Sequence, residues 1–313
     1  MIEIIISTIG VFIYIFIGFS LKKLKLISVK FEIFFTKISF NILLPIALVI
    51  NFWQISFPEI YLFNFLIAFF GSGTLIFFIS FLVSKKLFKF RTDQSAVFGF
   101  SSCFGNSVAL GIPLMYTILG PIKAMPYMIL VLFHGIIYFT YTTLIIENYR
   151  SRDHKNLFRI FRIILGLLKN IVLFGMFLGL FFSFIEVPFP KDFATYLNLI
   201  PVLTLPTVLI SLGLALANFK LNIGMHEIFI ITFFKNILQP FVAFITSKYL
   251  FQMSNELVLI ITLASALPSG SQTYYLSYRY NTLQKTISAN IVLSTFLSFF
   301  TLSILIYLFN FLN

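Results

Sequence analysis

Asn106, Ser107, His134 and Lys235 are polar side chains set inside otherwise apolar stretches, and they are where chemistry could reside in this sequence. The acidic residues are not candidates. Glu3, Glu32, Glu59, Asp93, Glu147, Asp153, Glu186, Asp192, Glu227 and Glu256 all fall in linkers or at the ends of apolar runs. Intramembrane hydrolysis or transfer needs paired Asp, a Ser/His arrangement or a His-Glu-x-x-His metal site, and none is present. An enzyme is therefore not expected, and neither is a metal or cofactor. The lack of a mid-helix carboxylate also argues against a cation substrate. Cys103 is the single cysteine, so no internal disulfide forms. What remains are groups that hold a ligand rather than transform it.

Two segments concentrate such groups. Gly105-Asn106-Ser107-Val108-Ala109-Leu110-Gly111-Ile112-Pro113 and Ala266-Leu267-Pro268-Ser269-Gly270-Ser271-Gln272 each set Pro, Gly and small polar residues within an apolar run. Proline removes a backbone hydrogen bond and clashes with the preceding turn. In lipid the freed groups need partners, which protein or a water-filled cavity must supply. Two discontinuous helices meeting at mid-depth would present N–H groups and positive dipole ends to an anion. The competing explanation is a pair of simple packing kinks. Lys235 lies about seven residues, roughly 10 Å, into its run. A charge so deep either caps freed carbonyls and attracts an anion, or snorkels to the nearer interface. His134 is either a proton carrier or a packing and hydrogen-bonding residue. Tyr274 and Tyr275 either line the site or join the interfacial aromatic residues.

The surrounding sequence predicts a membrane-spanning framework. Hydrophobic residues make up 59% of the chain and charged residues 10%, too few charges to cover a water-exposed surface. The net charge of +12 would suit nucleic acid, but the basic residues sit in short clusters between apolar runs. A lipid bilayer, not nucleic acid, is the expected partner. A span needs about 20 apolar residues. Ten runs qualify: Ile4–Leu21, Ile33–Phe52, Ile60–Val83, Ala96–Leu119, Pro126–Ile146, Ile163–Ile185, Leu197–Ala217, Ile228–Leu250, Leu257–Tyr278 and Ile287–Phe309. The first is a span rather than a cleaved signal peptide, because no basic residue precedes it. Seventeen Lys and Arg fall at the odd-numbered linkers and three (Lys123, Lys191, Lys248) at the opposite side. This places the odd linkers in the cytoplasm and both termini outside. Pro45 and Pro113 in runs 2 and 4 parallel Pro206 and Pro268 in runs 7 and 9. Five runs per half then require an inverted repeat, 1–152 and 153–313, a common plan in secondary transporters.

The segments Asn106–Pro113, Ala266–Asn281 and Asn41–Pro45 resemble the auxin efflux carrier family, which includes bacterial malonate and malate permeases. Lys169-Asn170, Lys235 with Pro240, and Leu293-Ser294-Thr295 also match, although Ile171 stands where many relatives carry proline. The resemblance spans essentially the whole chain. It implies an all-α crossover fold in a bacterial inner membrane, with a scaffold of runs 1, 2, 6 and 7 and a moving unit of runs 3–5 and 8–10. It also implies a homodimer built through the scaffold, and a secondary transporter of small organic anions. A passive anion channel or membrane-embedded sensor is the alternative, and a proton or sodium ion is the candidate coupling partner. The implied substrate residues are Asn41, Pro45, Asn106, Gly111, Pro113, Asn170, Lys235, Pro268, Ser269, Gly270 and Gln272.

Overall fold

The computed structural model describes residues 2–54, 62–150, 171–219 and 225–312. Among them there are twelve helices and no strand. The helices are α1 (Ile2–Lys23), α2 (Val29–Trp53), α3 (Leu62–Leu87), α4 (Thr92–Cys103), α5 (Ile112–Lys123), α6 (Met125–Arg150), α7 (Ile171–Phe184), α8 (Ala194–Leu216), α9 (His226–Leu250), α10 (Asn255–Ala266), α11 (Gln272–Arg279) and α12 (Gln284–Leu312). Helix occupies each of the ten apolar runs wherever residues are described. The two interruptions fall in the fourth and ninth, where proline and glycine cluster. Six helices, α2, α3, α6, α8, α9 and α12, are long and apolar enough to cross a membrane. Asn170, Lys169, Glu59 and the basic stretch 151–162 lie outside the described residues.

Proline shapes three of these helices in one way. A π-helical turn precedes Pro45 (Ser39–Leu43), Pro113 (Ser107–Gly111) and Pro240 (Phe234–Leu238). The pyrrolidine ring clashes with the carbonyl four residues back, and a widened turn moves that carbonyl aside. Pro201 and Pro206 instead lie within α8 with no such turn beside them.

Glycine sets the tightest helix pairs. A Cβ on Gly18 of α1 would stand 2.1 Å from the Ile210 carbonyl oxygen of α8, and one on Gly213 would stand 2.0 Å from that of Ile15. Gly175 and Gly179 of α7 meet the α2 backbone at Pro45 and Val49 in the same fashion. Such small-residue contacts let helices approach where lipid offers no hydrophobic drive to associate. The core behind them is Phe-rich: Phe52, Phe65, Phe77, Phe98 and Phe100 are fully buried. Large apolar side chains also face outward, among them Phe16, Phe63 and Phe184, each more than 65% exposed. Water would penalise that exterior, while acyl chains would not.

Candidate functional site

The two interruptions cross. Helix α4 stops at Cys103 because Phe104 is extended (φ −80°, ψ 107°), and α10 stops at Ala266 because Leu267 is extended (φ −57°, ψ 144°). The extended pieces pair in antiparallel fashion at Gly105 and Ser269. The Asn106 N–H donates to the Pro268 carbonyl at 2.8 Å, and the Gly270 N–H donates to that of Phe104 at 2.9 Å. Gly270 makes the approach possible: a Cβ there would lie 2.9 Å from the Gly105 carbonyl oxygen and 3.0 Å from the Phe104 ring. Residues 101–107 and 261–270 are all buried.

Breaking a helix frees carbonyls at the end of each first half, and α9 supplies partners for both. The Lys235 ammonium, fully buried, donates to the Ser265 carbonyl at 2.6 Å and to Gln239 Oε1 at 2.7 Å. Gln239 Nε2 in turn donates to the Cys103 carbonyl at 3.1 Å. One positive charge thus bridges the C-terminal ends of α4 and α10, where two negative dipole ends converge. The widened turn Phe234–Leu238, which carries Lys235, directly precedes Gln239 and Pro240. Lys235 does not snorkel, because its side chain is committed to these partners.

The second break is closed by a polar network. Ser269 Oγ donates to the Ser101 carbonyl at 2.7 Å, and the Ser269 N–H donates to Ser294 Oγ at 3.1 Å. Asn290 Nδ2 donates to Ser269 Oγ at 2.8 Å and to Ser101 Oγ at 3.1 Å, while Thr232 Oγ1 donates to Asn290 Oδ1 at 2.9 Å. Ser101, Thr232, Gln239 and Asn290 were not singled out from the sequence. Isolated polar residues on apolar helices carry no local signal, and only the crossing brings these four together.

The first break differs. Asn106 is 3% exposed, and its carbonyl accepts the Gly111 N–H at 3.0 Å, yet its side-chain amide has no hydrogen-bond partner among the described residues. Around it, Ser107 Oγ lies 3.2 Å from His134 Nδ1, and Tyr127 donates its hydroxyl proton to the Ser107 carbonyl at 2.6 Å. His134 is wedged among the rings of Phe69, Phe104 and Tyr138. Gly111 leaves room for Tyr127 Oη, which a Cβ would meet at 1.8 Å.

The remaining sequence candidates are dispersed. Pro113 is buried at the start of α5, and its carbonyl accepts from Thr117 Oγ1 at 2.8 Å. Pro45 is buried against Gly175, whereas Asn41 and Gln272 are exposed. Tyr275 is 77% exposed, and Tyr274 packs on the Phe219 ring at 5.3 Å. The second half-helices offer fewer N–H groups than expected. Those of Ser107, Thr273 and Tyr274 are taken by the carbonyls of Gly105, Gly270 and Ser271. A cavity of about 450 Å³ runs beside α5, lined by the polar side chains of Asn51, Gln54, Tyr116 and Asn198 with Pro201 and Leu205.

At one end of the molecule a charge cluster joins α4, α6 and the segment after α11. Arg150 donates to Asp93 at 2.6 Å and to the Tyr280 carbonyl at 2.6 Å, and Tyr280 donates to Glu147 at 2.8 Å. Burial alone would raise the Asp93 pKa, but hydrogen bonds and charge from Arg150 and Arg91 outweigh it and hold the carboxyl below its usual range. Burial, then the hydrogen bond to Glu147, pushes the Tyr280 hydroxyl up to about 12.

Two apolar helices broken at proline and glycine, crossed and capped by a buried lysine, suit a membrane carrier. Against known families, the membrane transport protein model matches residues 3–306. The chain belongs to that family. It is the family of the auxin efflux carriers, so the resemblance carried by Asn106–Pro113 and Ala266–Asn281 holds for the chain as a whole. No curated protein matches the chain. As a member of a transport family rather than an enzyme family, it is a multi-pass membrane transport protein.

Proposed function

We propose that this auxin efflux carrier family member is a secondary transporter of small organic anions, carboxylates such as malonate, malate or auxin-like acids, working by alternating access. The observation that carries this reading is Asn106. Its backbone is pinned at the crossing, and its side-chain amide has no hydrogen-bond partner among the described residues. An amide held at a fixed point of the crossing, with its hydrogen-bonding groups uncommitted, can meet a ligand without first breaking a bond to the protein. An amide N–H pair suits a carboxylate, and the carboxylates of the described spans, Glu32, Glu147 and Glu227, lie near the span ends rather than at the crossing.

The ten helical runs support ten spans in two inverted repeats, 1–152 and 153–313. Under such symmetry α1 corresponds to α7 and α2 to α8, so the α1–α8 and α7–α2 pairs are equivalent. Both are built on glycine contacts. The two crossed breaks, in the fourth and ninth runs, fit the same relation. The charge distribution supports cytoplasmic odd linkers and extracytoplasmic termini in a bacterial inner membrane. Under that orientation the 450 Å³ cavity opens on the outer side, between α2 and α8 of the scaffold and α5 of the moving unit. A homodimer through the scaffold and a coupling proton or sodium ion are parts of the same proposal. Counterflow tests it. Proteoliposomes loaded with unlabelled malonate or malate should accumulate the labelled acid transiently above equilibrium. Equilibration without overshoot for every acid tried would instead support a channel.

A further inference from the structure

The corner between α1 and α2 carries an uncompensated positive surface. Lys23, Lys25, Lys30 and Lys37 are exposed, and none has a carboxylate partner among the described residues. Glu32, on the same helix, is already held by Lys22 and by Asn218 Nδ2 at 2.7 Å. Lys30 and Lys37 stand seven residues apart on α2 and so share a face, with Phe34, 61% exposed, between them. Leu24 and Leu26 beside them are 68% and 67% exposed.

Lys25 sharpens the point. It follows the last turn of α1 at φ 57°, a left-handed conformation that glycine adopts without strain. A lysine here accepts that strain and gains the company of the helix's negative end. Lys23 lies over the Phe19 ring at 5.6 Å, so its stem is laid along the apolar surface with its charge outward.

We propose that this corner is a binding site for the headgroup of an anionic phospholipid. The lysines hold the phosphate, and Phe34, Leu24 and Leu26 meet the first carbons of the acyl chains. Free phosphate or an acidic protein would use the charges but have no acyl chain to lay against those side chains. A neutral lipid would use the apolar surface and leave the charges unpaired. The amphiphilic character therefore selects the lipid. The site goes beyond the transport reading: it needs the α1–α2 corner near a membrane interface but no particular substrate.

The test is lipid retention by the full chain. The protein is taken from nanodiscs of equal phosphatidylcholine and phosphatidylglycerol into detergent, and bound lipid is counted by native mass spectrometry. Wild type should retain phosphatidylglycerol in preference, and the triple variant K25Q/K30Q/K37Q should lose that preference by about a hundredfold. A control, K123Q/K191Q/K248Q, removes equal charge at the opposite-side linkers and should retain the lipid as wild type does. Equal loss in the control, unchanged retention in the triple variant, or displacement of the lipid by millimolar inorganic phosphate would each overturn the site. Transport is not the readout, so failure here leaves the carrier proposal standing.

Discussion

The two broken helices share a motif and differ in what they leave open. At the second break the Ser269 N–H is engaged by Ser294 and its hydroxyl by Ser101 and Asn290. At the first break the neighbours are just as ordered, but the Asn106 amide is left without a partner among the described residues. On the proposed reading, the Ser269 side of the crossing holds the geometry and the Asn106 side receives the ligand. Lys235 is common to both, because it serves α10 directly and α4 through Gln239. Symmetry of sequence motif does not entail symmetry of use. A pseudo-twofold fold can assign support to one repeat and recognition to the other.

If that division holds, the largest effect comes from the shared residue. Lys235→Met removes the charge while keeping the apolar stem, and it orphans the Ser265 carbonyl and Gln239 Oε1. A buried unsatisfied group costs about 1–3 kcal/mol, so the variant should lose both transport and heat stability in detergent. Near-normal initial uptake with an unchanged melting midpoint would show that the two helix ends need no shared cap. A smaller effect is expected from His134→Gln. Glutamine can keep the bond to Ser107 but cannot titrate, so uptake should stay within about threefold of wild type, with an unchanged pH profile. Loss of the pH dependence would instead make His134 part of coupling.

The smallest effect lies away from the crossing, at Asp93. Its folded pKa is depressed, so its ion pairs with Arg91 and Arg150 contribute fully above the unfolded pKa and are lost as pH falls through the folded one. Thermal midpoints of wild type should fall more steeply than those of Asp93→Asn below about pH 4, and the gap between them should be constant from pH 5 to 7. A gap that instead widens between pH 7 and 5 would contradict the pairing.

The sequence announces the breaks and Lys235 because proline, glycine and charge stand out against an apolar background. The partners that make them a site leave no such trace. Asn290 is one asparagine in a 29-residue helix, and its meaning appears only when Thr232, Ser101 and Ser269 surround it. The widened turns before Pro45, Pro113 and Pro240 were legible only as kinks, since proline dictates a disturbance but not which hydrogen bonds replace the lost ones. Asn41 and Gln272 show what motif position alone leaves open. Both sit beside motif prolines in sequence, yet helical geometry turns them outward.

The division between an open and a closed break is tested most directly by equilibrium binding of radiolabelled malonate and malate to the purified protein in nanodiscs. The comparison is between wild type, Asn106→Ala and Ser269→Ala, with a melting midpoint recorded for each. A hydrogen bond to a charged ligand is worth roughly 1.5–3 kcal/mol, so Asn106→Ala should bind about tenfold or more weakly at an unchanged midpoint. Ser269→Ala should melt lower while any folded protein binds with near-native affinity. Undiminished binding by Asn106→Ala, or loss of affinity in Ser269→Ala without loss of stability, would contradict the account.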